Sequence, residues 1–214
     1  GVIDENPMRQ DIEEIGTLIG IDLCLNVILN TRKEIVSVLC GHPGSVIELG
    51  VNQTRHNSTV VCDHPYDLII ASAGGFPKDI NLYQAQKAIT HAAKFAHPGS
   101  VLIMALECSQ GSGSDSFEKY MSGLSTFDQV LEKFQQDGFQ IGPHKAFQLA
   151  RQTANFKIFL VTALPTNLAE KFLLYPITSL EEGIKKAFEF VPTKPKIAVM
   201  PFATNTLPSK MNWR

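Results

Sequence analysis

Apolar positions along the chain fall into two rhythms. Over residues 7–19, Met8, Ile12, Ile15, Leu18 and Ile19 recur every three or four positions with Asp11, Glu13 and Glu14 between them, the spacing of an amphipathic helix. Residues 23–29 run apolar around Asn26, and after the polar connector 30–33 a valine- and isoleucine-rich run covers 34–39. That pair predicts a β-hairpin. Glycine and proline at 41–44 break the pattern, a short helical one resumes over 45–51, and a polar stretch covers 52–59.

From residue 66 the rhythm changes. Residues 67–73, 100–107 and 156–164 are continuous apolar runs of the kind a sheet buries on both faces. Helical patterns follow each: 80–96 after the first, 116–123 and 126–137 after the second, 167–172 and 179–190 after the third. Strands alternating with helices predict an α/β fold, a mixed, mainly parallel sheet with flanking helices. A last strand over 196–200 lies beyond Pro192 and Pro195 and leads into the loop 201–208. The expected organisation is a portion of an amino-terminal domain over 1–65, a carboxy-terminal α/β domain over 66–190, and a tail strand within 196–209 returning to the amino-terminal domain.

Composition narrows the function. With 19 basic and 21 acidic residues the net charge is −2, which gives nucleic acid or an anionic membrane nothing to attract, so small or neutral partners fit better. The apolar runs are too short to span a bilayer. Cys24, Cys40, Cys62 and Cys108 form no CxxC pair, and buried free thiols in a reducing cytoplasm are the expectation.

The chemistry concentrates in residues 73–88, Ala-Gly-Gly-Phe-Pro-Lys-Asp-Ile-Asn-Leu-Tyr-Gln-Ala-Gln-Lys-Ala. A strand end, a glycine turn and a helix start meet here, where open α/β sheets present backbone N–H groups to ligands, and Asp79 is placed to cap the helix. Gln84 and Lys87 lie three residues apart on one helix face, where an ammonium and a carboxamide suit a small carboxylate with a neighbouring hydroxyl. On spacing alone, a solvated helix face accounts for them better. The loop 108–114, rich in serine and glycine, matches neither the phosphate-loop pattern nor Gly-x-Gly-x-x-Gly, and reads as a flexible loop facing the other domain.

Residues 73–88 resemble the corresponding segment of the nickel-pincer lactate racemase family. Residues 1–15, with Asn6-Pro7 and an acidic helix, 26–39 and 200–208 are similar to that family too, with the most specific match over 66–115. The resemblance implies inversion of a 2-hydroxy acid by hydride transfer to and from a nickel-pincer nucleotide, the nickel complex of pyridinium-3,5-bisthiocarboxylic acid mononucleotide. The family's Tyr-Gln-x-x-Lys pattern falls on Tyr83, Gln84 and Lys87, whose implied role is to contact the substrate carboxylate and close the pocket. His144 and Phe147 fall where the family has a later loop near the substrate, which makes Phe147 a candidate for lining the pocket.

The resemblance also implies what is not here. The catalytic histidines, the nickel-ligating histidine and the tethering lysine belong to a segment expected before Gly1, so no catalytic residue and no metal ligand is assigned to this chain. On that reading the isolated chain binds no cofactor and is inactive. His42 and His97 precede prolines, His56 and His64 sit in a polar segment, and His91 reads as a core-edge histidine. Oligomeric state and the particular 2-hydroxy acid stay open. The reading from a different class is a non-catalytic module that binds a small carboxylate or a protein partner through Gln84 and Lys87. A nicotinamide dehydrogenase is disfavoured by the missing dinucleotide fingerprint.

Overall fold

Contacts in the computed structural model, which describes residues 3–209, divide the chain between Thr59 and Val60, a little before the expected boundary at 65. In the first unit, α1 (Pro7–Ile19) starts where Asn6 accepts the Met8 N–H at 3.1 Å, with Pro7 in the first turn. β1 (Cys24–Leu29) and β2 (Ile35–Gly41) pair antiparallel, Cys24 opposite Gly41. α2 (Pro43–Ser58) is longer than its apolar pattern: its polar second half, 52–58, holds no glycine or proline to stop it, so the helix continues as a solvated one. His42 caps it, its ring nitrogen accepting the Gly44 N–H at 3.3 Å.

Val46 is the only described hydrophobic residue of this unit that is buried. Met8, Ile12, Ile15 and Leu18 of α1 and Leu25, Ile35 and Val36 of the hairpin are all exposed, Leu18 to 80%. The amphipathic stripe predicted for α1 is present but covered by nothing described, and apolar surface on this scale marks a contact face.

A short strand, β3 (Thr59–Val60), leads into the second unit. Its sheet has the order β7-β6-β5-β4-β8, every pairing parallel, built from β4 (Tyr66–Ser72), β5 (Ala96–Ala105), β6 (Lys157–Val161), β7 (Tyr175–Ile177) and β8 (Ile197–Met200). Alternate residues face opposite sides. Ile69, Ala71, Leu102, Met104, Ile158 and Leu160 pack into the larger core with α3 (Leu82–Ala92), α4 (Asp115–Met121), α5 (Phe127–Asp137), α6 (Pro143–Thr153) and α7 (Thr166–Lys171). Leu68, Val101, Ile103 and Phe159 pack with Ala187 and Ile184 of α8 (Leu180–Ala187) on the other face. Burial on both faces is why these strands read as unbroken apolar runs.

Three features depart from the sequence reading. Strand β8 of the tail, expected to pair within the amino-terminal portion, hydrogen-bonds along β4 instead, Leu68 opposite Ile197 and Ala71 opposite Met200, giving β4 a second parallel neighbour. Farther on, β9 (Leu207–Pro208) runs beside Val60, whose carbonyl accepts the Ser209 N–H at 2.9 Å. The segment around His144 is a helix, α6, with Gly142 as its cap and Pro143 in its first turn. A three-residue edge strand, β7, sits where the apolar pattern predicts none, and its Pro176 suits an edge.

One polar knot ties three strand starts together. Asp67 accepts the Lys196 N–H at 2.7 Å and meets His97 Nε2 at 3.0 Å, while His97 Nδ1 lies 2.9 Å from the Pro98 carbonyl. Both ring nitrogens face acceptors, so the doubly protonated ring fits, and the Pro98 carbonyl, then Asp67, raise the His97 pKa above its ordinary 6.5. A raised pKa stabilises the fold fully below 6.5, and the gain is lost as pH rises through the folded value. We expect His97→Gln to cost about 0.5 kcal/mol at pH about 5.5 and close to nothing at pH about 8.5, because the half-exposed ring is screened by solvent. Urea unfolding at the two pH values measures it; equal losses at both would contradict it.

Candidate functional site

The end of β4 leads into Gly74 and Gly75, at φ of 92° and 77°. These left-handed values suit glycine, and a Cβ at Gly74 would also stand 2.8 Å from the Phe202 ring. Thr204 locks the same turn from the tail, its hydroxyl donating to the Ala73 carbonyl at 3.0 Å.

α3 begins at Leu82 and is capped by Asn81, whose side chain accepts the Gln84 N–H at 3.0 Å. Asp79, the expected cap, is buried instead: its carbonyl accepts the Cys108 N–H at 2.8 Å and its carboxylate the Glu107 N–H at 3.4 Å. The remaining first-turn donors are also taken. Leu82 and Tyr83 N–H groups go to the Gly111 and Ser112 carbonyls, each at 3.0 Å. So the loop 108–114, expected to face another domain, closes the start of α3, and the backbone N–H groups there are not left to hold an anion. Any anion recognition at this site falls to side chains.

Those side chains line an open cavity of about 450 Å³ beyond the carboxyl ends of β4 and β8, formed by Pro77, Lys78, Ile80, Gln84, Lys87, Thr204 and Asn205. Lys87 Nζ donates to Gln84 Oε1 at 2.7 Å, which leaves the Gln84 Nε2 donors and two ammonium hydrogens for a ligand. Lys78 Nζ donates to Asn205 Oδ1 at 3.2 Å across the cavity. Gln84 and Lys87 are thus brought together, and the tail residues Asn205 and Thr204 join them, a placement that helical spacing within α3 does not reach.

Tyr83 is not among the described residues lining this cavity. Its ring faces α6, with Lys145 Nζ 4.6 Å from the ring centroid and the His144 ring edge-on at 6.2 Å. Phe147 lies one helical turn further on and is not brought to the cavity: it stacks on Phe134 of α5, centroids 4.5 Å apart, with Arg151 above it. Helical spacing turns Phe147 toward α5 where a loop would have left it free to face Tyr83.

Other candidates resolve into structural roles. His91 Nδ1 lies 3.2 Å from the Thr206 carbonyl, and burial, then repulsion from Lys94, lowers its pKa, which favours the neutral ring tying α3 to the tail. Burial pushes the Cys108 thiol up to about 12, far from a nucleophile's range. Cys62 and Cys108 are buried, but Cys24 is half-buried and Cys40 exposed on the hairpin, and all four are free. Among the described residues no group of three or more His, Cys, Asp or Glu could hold a metal ion. No described helix is long and apolar enough to cross a membrane.

The fold is an open α/β layer, a parallel sheet covered on both faces with an open cavity at its strand ends. The chain belongs to the lactate racemase family: residues 61–205 match the model of the lactate racemase C-terminal domain. It is 28% identical to the lactate racemase of Thermoanaerobacterium thermosaccharolyticum over 94% of its own length and 48% of that protein. It is 24% identical to the lactate racemase of Lactiplantibacillus plantarum over 62% of its length and 31% of that protein. The chain thus spans at most about half of these relatives. The apoprotein structure of the Thermoanaerobacterium enzyme superposes with a TM-score of 0.92 at 27% identity, covering 98% of this chain and 51% of that one. A Thermotoga maritima protein shares the fold with a TM-score of 0.68 at 15% identity, covering 96% and 54%.

Proposed function

We propose that the protein carrying this chain interconverts the enantiomers of a 2-hydroxy acid, and that these residues supply its substrate-positioning part. The observation that carries this reading is the Lys87–Gln84 pair, 2.7 Å apart on the wall of a cavity of suitable size, in a chain of the lactate racemase family. Lactate, named by both relatives, is the first substrate to test. Lys87 and the Gln84 carboxamide hold the carboxylate, a charge-assisted pairing that fixes the acid end while the carbon beside it changes hand. Tyr83, one turn before Lys87 on α3, flanks the clamp on the α6 side without lining the cavity. Racemisation through a planar keto acid needs such a hold, because hydride returns to either face of a molecule that must not leave.

The hydride chemistry belongs, by family resemblance, to a nickel-pincer nucleotide and to histidines and a lysine outside these residues. Residues 1–65 are read as a portion of the cofactor-binding domain, a reading the bare apolar faces of α1 and the hairpin support. Four free cysteines support a reducing cytoplasmic setting.

The test is chiral chromatography of enantiopure 2-hydroxy acids incubated with the intact, cofactor-loaded protein. Appearance of the opposite enantiomer from lactate or a larger homologue is expected. Tight binding of the acids with no inversion of any would replace the racemase by a carboxylate-binding module.

A further inference from the structure

Lys145 is 8% exposed, in the first turn of α6, and its ammonium has unusual company. It lies over the Tyr83 ring at 4.6 Å and donates to Gln148 Oε1 at 3.4 Å, an oxygen shared with Gln86 Nε2 at 3.4 Å. Among the described residues no carboxylate pairs with it. A buried lysine without a counter-ion is costly, and a methionine would fill the same space without removing a charge from water. Packing alone does not account for the charge.

Its neighbours suggest what does. Tyr83 and Lys87 are four residues apart on the same face of α3, so Lys145, over the Tyr83 ring, lies beside the helix face that carries the clamp. Burial, then repulsion from Lys87, lowers its pKa. A carboxylate held by Gln84 and Lys87 supplies the negative charge that this pair lacks.

We infer that Lys145 is a positioning residue for the carboxylate clamp, holding the Tyr83 ring by its ammonium and adding a second positive charge beside the helix face that carries Lys87. The inference rests on the reading of Gln84 and Lys87 as that clamp. Lys145 does not touch the substrate. It acts through Tyr83 and through the field, and its effect is therefore confined to anionic ligands and depends on Lys87.

The experiment compares Lys145→Met, Lys145→Arg, Lys87→Ala and the Lys145→Met/Lys87→Ala pair in the intact, cofactor-loaded protein. The readouts are KM and kcat for L-lactate, its dissociation constant by calorimetry, and the melting temperature. Lys145→Met is expected to raise KM and the dissociation constant about tenfold, with kcat changed less than about twofold and no fall in melting temperature. Lys145→Arg restores most of the loss. In the Lys87→Ala background the second substitution adds little, because both act on one carboxylate.

Unchanged lactate affinity in Lys145→Met, or a lower melting temperature as its sole effect, overturns the inference. If that variant does not fold, Lys145→Gln is read by the same affinity criterion. A rise in KM for Lys87→Ala but not for Lys145→Met removes the role of Lys145 and leaves the clamp standing. No rise for Lys87→Ala removes the clamp, and the inference with it.

Discussion

Replacing Lys87 by alanine is expected to lower kcat/KM for lactate about thirtyfold in the intact, cofactor-loaded protein. The size follows from the hydrogen bond that the substitution removes. An ammonium–carboxylate hydrogen bond in a partly enclosed site contributes about 1.5–3 kcal/mol, and Gln84 alone keeps a neutral donor on the acid. The loss should fall mainly on KM, since the carboxylate carries the same charge before, during and after inversion of its neighbour. Lys87→Ala also frees Gln84 Oε1, which now accepts from Lys87 at 2.7 Å, so the carboxamide is no longer held in one orientation. Gln84→Ala should therefore cost less than Lys87→Ala, and steady-state kinetics on the two variants orders them.

The second large effect is on the fold beneath the site. Gly113 sits at φ of 76°, and a Cβ there would run into the Asn81 carboxamide that caps α3. Alanine in that backbone region costs about 1–2 kcal/mol, and displacing the cap about 1 more. We expect Gly113→Ala to destabilise the protein by about 2–3 kcal/mol, seen as a lower urea midpoint with an unchanged slope. The consequence reaches the cavity, because Gln84 N–H is the group Asn81 holds and Gln84 and Lys87 ride on the same helix. Full stability in Gly113→Ala would mean that the loop 108–114 yields freely and does not position α3.

Much of the fold is readable in the sequence because burial on two faces leaves a plain mark. Residues 68–71, 101–106 and 158–161 are apolar at every position, and the sheet buries them on both faces. α6 is harder to see because Gly142-Pro143 looks like a turn, although proline in a first turn equally opens a helix. Its buried stripe, Ala146, Leu149, Ala150 and Thr153, has helical spacing, with Lys145 on the edge of that stripe, and this is the signal in the sequence that marks the helix. The start of α3 is ambiguous in the sequence, since Asp79 and Asn81 are both good caps and only the neighbouring loop decides between them. The tail is a different kind of case. Nothing in residues 197–200 says which strand they pair with, because any exposed parallel edge would serve, and β4 supplies it.

The candidate site is legible only in part for a similar reason. Gln84 and Lys87 stand on one helix, so helical period alone brings them together. Asn205 and Thr204 come from more than 100 residues away along the chain, and their place opposite Lys78 depends on the pairing of β8 with β4. Phe147 cannot be placed at all until its segment is known to be a helix.

The most direct measurement is calorimetric titration of the intact protein and of Lys87→Ala with lactate and with lactamide, its neutral counterpart. A carboxylate clamp at Gln84 and Lys87 predicts that Lys87→Ala weakens lactate about tenfold or more and leaves lactamide unchanged. Equal weakening of both ligands, or of neither, would contradict it.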